Sequence, residues 1–169
     1  MALEPTQTDH SPPTGRASEP ATGTVLGAIA SAVLAISVFL TWYTVEWRIA
    51  GTTHSETANG WDATNAARVV FVLALIGLLA LAIQLFSPAS ELPVTASVGS
   101  GVCGILAVLF VVYRIASAPD AKVSGLLGFT ALQNFISVTV NTSWGIWVSL
   151  AAAVAMVAGA VLALRSSRT

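Results

Sequence analysis

Apolar residues run without a charged side chain from Pro20 to Val45, from Val69 to Ser90, from Leu92 to Tyr113 and from Val123 to Leu164. A helix needs about 20 apolar residues to cross a hydrocarbon core of about 30 Å. Each run is long enough. The last is too long for one span, because as a single helix it would reach about 63 Å at about 1.5 Å per residue. A fifth span over Val123–Val140 would set Gln133 and Asn134 side by side near the bilayer centre. It would also leave only Asn141–Ser143 to turn the chain. Four spans and a long third loop are therefore expected, with helices at about 24–43, 65–86, 94–116 and 145–164. The transmembrane domain covers 23–165, followed by a short tail, 166–169.

The helix ends carry their own signals. Trp42 and Tyr43 would close the first helix at headgroup level, where such rings prefer to sit. Asp62 or Thr64 can cap the second, since a side-chain oxygen there accepts a free backbone N–H. Arg68 follows in its first turn and can snorkel outward. Ser87-Pro88 stops that helix, and the short turn Ser87–Pro93 makes helices two and three an antiparallel hairpin. Trp144 and Trp147 anchor the last helix, and Arg165 and Arg168 follow it.

Small residues recur every fourth position in three helices: Gly23, Gly27, Ser31 and Ala35; Ala96, Ser100 and Gly104; Ala151, Ala155, Gly159 and Ala163. Such stripes let helix backbones approach closely. The second helix shows no stripe of this kind, is rich in leucine and is expected to face lipid more.

With four spans, the loop at 44–64 and the loop at 117–144 lie on one side. In Tyr43-Thr44-Val45-Glu46-Trp47-Arg48-Ile49, apolar and polar residues alternate, the period of a half-buried strand. Phe135–Asn141 is dense in β-branched residues, which favour strands. The expected fold is thus an all-α membrane protein, a four-transmembrane-helix bundle with a small extracytoplasmic β cap formed by loops one and three. Tyr43, Val45, Trp47 and Ile49 would form the buried face of the first strand.

Composition agrees with this pattern. Only 9% of residues are charged, against about a quarter in an average soluble domain. A net charge of −1 gives no footprint for nucleic acid. Residues 1–22 are rich in Pro, Ser and Thr and read as a disordered tail. That tail has no apolar signal-peptide core, so the first helix is expected to act as an uncleaved targeting signal. Basic residues number three in the tails (Arg16, Arg165, Arg168) and four in the long loops (Arg48, Arg68, Arg114, Lys122), which does not decide the orientation. The larger, tryptophan-bearing loops are placed outside and both termini in the cytoplasm.

Chemistry is sparse. Ionisable residues inside spans usually mark function, and none falls at the centre of a span. The polar groups there are Ser31, Ser37, Cys103 and Ser149, each able to bond its own preceding carbonyl or to pack as a small residue. His54, Glu56 and Asp62 share one loop, and His54 and Glu56 would lie on one face of a strand. Two ligands on one strand plus a nearby carboxylate are possible for zinc, but a polar loop gives this combination often by chance, so no metal is assigned. The sequence has no GxSxG elbow, phosphate loop or dinucleotide glycine pattern. No catalytic, cofactor-binding or metal residue is assigned and no cofactor is expected.

Leu40-Thr41-Trp42-Tyr43, Gly60-Trp61-Asp62-Ala63, Tyr113-Arg114 and the tryptophan-flanked last helix together resemble small four-span membrane proteins common in actinobacteria, most without assigned function. The resemblance covers about residues 24–168. It implies a bacterial inner-membrane location and carries over no catalytic residues. The expected role is that of a non-enzymatic accessory or scaffold protein of the cell envelope. Its partners would be the lipid bilayer and a protein partner or a second copy of itself. The competing expectation is a small transporter or channel made by oligomerisation, with Gln84, Gln133 and Asn134 at its constriction.

Overall fold

The structure, a computed structural model, describes residues 22–49, 52–86, 93–117 and 137–166. Residues 1–21 of the expected tail 1–22, the turn after Phe86, the Gln133–Asn134 pair and residues 167–169 lie outside the described residues, whereas Thr22 and Ser166, expected in the tails, belong to the first and last helices. The protein is mostly helical, with a small three-stranded sheet. Its elements run α1 (Thr22–Ser37), β1 (Thr41–Ile49), β2 (Thr52–Asn59), α2 (Gly60–Ala63), α3 (Asn65–Phe86), α4 (Pro93–Ala116), β3 (Ser137–Thr142) and α5 (Trp144–Ser166). Helix α3, Thr95–Ala116 of α4, and α5 are each long and apolar enough to cross a membrane.

α1 packs against α5 and α3, and α4 packs against the same two helices. Neighbours are antiparallel. Gly23 at the start of α1 meets Ala163 near the end of α5, and Gly104 in α4 meets Val157 in α5. The end of α1, the start of α3, the end of α4 and the start of α5 therefore lie together, and the sheet joins them there.

α1 stops at Ser37, short of the expected Tyr43, for a local reason. Ser37 Oγ turns back to donate to Leu34 O at 2.7 Å, and the N–H groups of Phe39 and Leu40 bond Ile36 O and Ser37 O. Ser37 O also accepts the indole N–H of Trp42 at 2.9 Å. The last carbonyls of a helix need such partners, and here the next few residues supply them. Trp42 and Tyr43 consequently sit in β1 rather than in the helix, and are buried within the protein, at 0% and 1% exposure.

Two adjacent buried side chains contradict the period of a strand. The register explains them. Thr41 pairs with Asn59 and Tyr43 with Ala58, so Trp42 is an extra residue on β1. A bulge of this kind bends the strand and re-aims a side chain. Beyond it the alternation is regular: Glu46 and Arg48 are exposed, while Val45 and Trp47 are half-buried.

β1 is the central strand, in the order β2-β1-β3, with both neighbours antiparallel. β3 overlaps the stretch rich in β-branched residues and ends one residue beyond it, at Thr142. β2 is the strand that carries His54 and Glu56; the apolar alternation gave it no bounds. Asn59 Oδ1 accepts from Asp62 N at 2.8 Å and starts the short turn α2. Thr64 Oγ1 then accepts from Ala67 N, so Thr64 rather than Asp62 caps α3.

The helix interior holds small and hydroxylated side chains. Gly23, Gly27, Ser31 and Ala35 of α1 are all buried. In α5 the buried face is Ser149, Ala152, Ala153, Met156, Gly159, Ala160 and Ala163, whereas Ala151 of the expected stripe is exposed. α3 has a seam after all: Ala67, Val70, Ala74, Gly77 and Leu81 are buried, at alternating spacings of three and four. It was hidden because the small residues do not recur every fourth position. Outside, the large apolar residues face away from the protein, among them Ile29, Ile36, Val72, Leu79, Leu109 and Val154.

Candidate functional site

Six buried polar side chains lie within the helices: Thr24, Ser31, Ser37, Ser97, Ser100 and Ser149. Ser31 donates to Gly27 O at 2.8 Å and Ser149 to Gly145 O at 2.9 Å, each bonding one turn back. Ser97 reaches Gln84 Oε1 at 3.3 Å, which ties α4 to α3 near their shared end. Gln84 is half-buried near the end of its helix. Cys103 is buried and free.

Ser37 and Ser149 form the one cross-helix hydroxyl pair among these bonds, with their oxygens 2.7 Å apart. The two hydroxyls have two protons for three contacts: Leu34 O, Gly145 O and each other. One carbonyl bond is therefore given up whenever the pair bond forms. This limits what the pair adds to stability. Ser37→Ala, Ser149→Ala and the double variant are expected to show a coupling of about 0.6 kcal/mol in a thermal-unfolding cycle in detergent, the average for hydroxyl bonds between membrane helices. A coupling near zero would show that both hydroxyls bond only within their own helices.

The sheet has two unlike faces. Thr44, Glu46 and Arg48 of β1 share one with Thr53, Ser55 and Thr57 of β2 and with Thr139 and Asn141 of β3. Every one of these is polar. The other face carries Tyr43, Val45 and Trp47, flanked by Val140 of β3 and by His54 and Glu56 of β2. Tyr43 Oη donates to Arg114 O at 3.3 Å, so this face meets the last turn of α4. Trp47 lies over His54, with ring centroids 6.2 Å apart and planes 17° from parallel.

His54 and Glu56 share a face as the sequence implied, but Asp62 lies beyond the strand in α2. No group of three His, Cys, Asp or Glu side chains that could hold a metal forms among the described residues. What the sequence does not reveal is the collar beneath the sheet. Phe39 stacks on Trp61 at 5.5 Å, and Phe71 meets both rings edge-on. The Arg68 guanidinium lies 5.5 Å from the Trp61 ring, and its Nε donates to Trp61 O. Trp144 and Trp147 are exposed at the start of α5. These aromatic residues are scattered along the sequence and gather at the sheet end of the helices only through folding.

No protein-family model matches this chain, and no curated protein is significantly similar to it.

Proposed function

We propose that this chain is a non-enzymatic, multi-pass protein of the cell membrane that works by contact, as an accessory or scaffold component of the envelope. One observation carries the reading: the outside of the helices is as apolar as their inside. Most large aliphatic side chains of the helices face outward, while small residues and six hydroxyls sit in the interior beside a few larger apolar side chains. Such a surface suits hydrocarbon, where apolar exterior contacts cost nothing and helices associate through small residues. In this reading α1 crosses together with α3, α4 and α5. Its 16 residues reach about 24 Å, and Val38, Phe39 and Leu40 extend its apolar length.

The aromatic collar then sits at the headgroups, with Arg68 snorkelling from it. The sheet caps the bundle on the extracytoplasmic side and both termini are cytoplasmic. The likeness to small four-span actinobacterial proteins supports the location and brings no reaction with it. A pore would need several copies, because the helices meet through glycine contacts that fill the space between them.

Topology and role are tested separately. A cysteine placed at Ser55 is expected to react with an impermeant thiol reagent on intact cells, and one at Ser167 is not. Labelling at both sites would rule out the three crossings between them that the four-span reading requires, and labelling at Ser167 alone would invert the orientation. For the role, purification in mild detergent is expected to give a stoichiometric partner or a defined homo-oligomer. Movement of ions or solutes across vesicles reconstituted with the purified protein, as monomer or oligomer, would overturn the contact role.

A further inference from the structure

β2 is an edge strand whose outer side has no neighbour among the described residues. It spans Thr52–Asn59, and Thr52 to Thr57 are all exposed. Exposed edges are templates for another strand, and proteins usually blunt them with lysine, proline or a bulge. The sequence TTHSETAN contains no lysine and no proline, and the bulge lies on β1. We propose that β2 pairs antiparallel with β2 of a second copy of this chain, making one continuous sheet in the order β3-β1-β2-β2-β1-β3.

The choice of partner rests on charge and register. A two-fold axis that joins two identical strands antiparallel keeps each side chain on its own face. Opposed residues must share a face, so the axis must pass beside a residue, never between two. Centred on Glu56, it would set two carboxylates directly opposite. Centred on Ser55, it sets His54 opposite the second copy's Glu56 and Glu56 opposite the second copy's His54. Thr53 then opposes the second copy's Thr57. Among registers centred from Thr53 to Thr57, this is the one that matches His54 with Glu56 twice. Opposite-charge and Thr–Thr pairs are favourable across strands, and like charges directly opposed are not. A neutral imidazole also serves, since its N–H donates to the carboxylate.

The symmetry fits a bilayer. The axis is perpendicular to the sheet, whose Tyr43 face meets the end of α4 and whose other face is polar throughout. Two copies joined this way keep their helices on the same side of the shared sheet. The inference rests on the contact role proposed above and names a second copy as the contact.

Cysteine cross-linking of the full chain in mild detergent tests it. Directly opposed residues in an antiparallel pair have Cα atoms about 4.5–5.5 Å apart, within the disulfide range of about 4.4–6.8 Å. Ser55→Cys is therefore expected to give a disulfide-linked dimer under a mild oxidant. Thr57→Cys is expected to give none, because its two copies lie about 13 Å apart at about 3.3 Å per residue. The wild-type chain is the control, since Cys103 is buried. Measured by sedimentation, His54→Glu is expected to weaken the dimer roughly tenfold by opposing like charges. Adding Glu56→His to it should restore the dimer. Equal cross-linking of Ser55→Cys and Thr57→Cys, or a dimer indifferent to His54→Glu, would overturn the pairing. So would a monomer that co-purifies with a different stoichiometric protein, though it leaves the contact role standing. A transporting monomer would overturn both.

Discussion

Gly159→Leu is expected to abolish the folded helix assembly, and Gly159→Ala to lower its stability by about 1–3 kcal/mol, the usual range for overpacking. A Cβ at Gly159 would lie 2.7 Å from Gly27 N, 2.8 Å from Gly27 Cα and 2.9 Å from Gly23 O. All three are backbone atoms of α1, so relief requires the two helices to part. Gly23 faces the same problem from the other side, against Ala163 N and Gly159 O. Gly27 is gentler. Its Cβ would meet only Leu81 Cδ1 at 2.9 Å, the far end of a side chain that can turn away. Gly99 has nothing within 4 Å, so Gly99→Ala should leave thermal stability in detergent unchanged or slightly raised. The expected order of loss is Gly159 and Gly23, then Gly27, then Gly99. If Gly159→Ala melts with the wild type, the α1–α5 contact is not as close as described.

That ranking shows what sequence could and could not provide. The every-fourth spacing of Gly23, Gly27, Ser31 and Ala35 marked the buried face of α1 correctly, because only one helix face can approach another backbone closely. The spacing could not say which glycine meets backbone and which meets a movable side chain. In α5 it pointed to Ala151, which is exposed, since alanine serves equally well against lipid and against a neighbour. The seam of α3 mixes Val70 and Leu81 with Ala67, Ala74 and Gly77, so it did not stand out from an apolar background. β2 was legible only as a strand with His54 and Glu56 on one face, without bounds, for a related reason. His54, Ser55 and Glu56 give it no apolar alternation, and it is a strand because β1 beside it offers an edge. The His54–Glu56 face followed from strand period alone. The Trp47–His54 stack needed the cross-strand register, which no single segment encodes.

Trp42→Ala is expected to cost about 3–5 kcal/mol, the range for truncating a large buried aromatic residue. It should be the most damaging single change in the sheet end. Trp42 is completely buried, its indole ring occupies the space where Gly60 has no side chain, and its carbonyl accepts from Ser143 N at 2.7 Å. It therefore joins the end of α1, the start of α2 and the approach to α5 at one point. Trp42→Phe separates the packing from the hydrogen bond. It keeps most of the ring and removes only the N–H that meets Ser37 O, which still accepts from Leu40 N. That loss should be about 1 kcal/mol. Trp47, the tryptophan that alternation alone would rank first, is half-exposed beside His54, so Trp47→Ser should cost only about 1 kcal/mol. Glu46→Ser and Arg48→Ser, on the polar face, should be close to neutral. Thermal unfolding of the five variants in one detergent checks the order. A loss at Trp47 equal to that at Trp42 would mean that the outer half of the sheet is as firmly packed as its base.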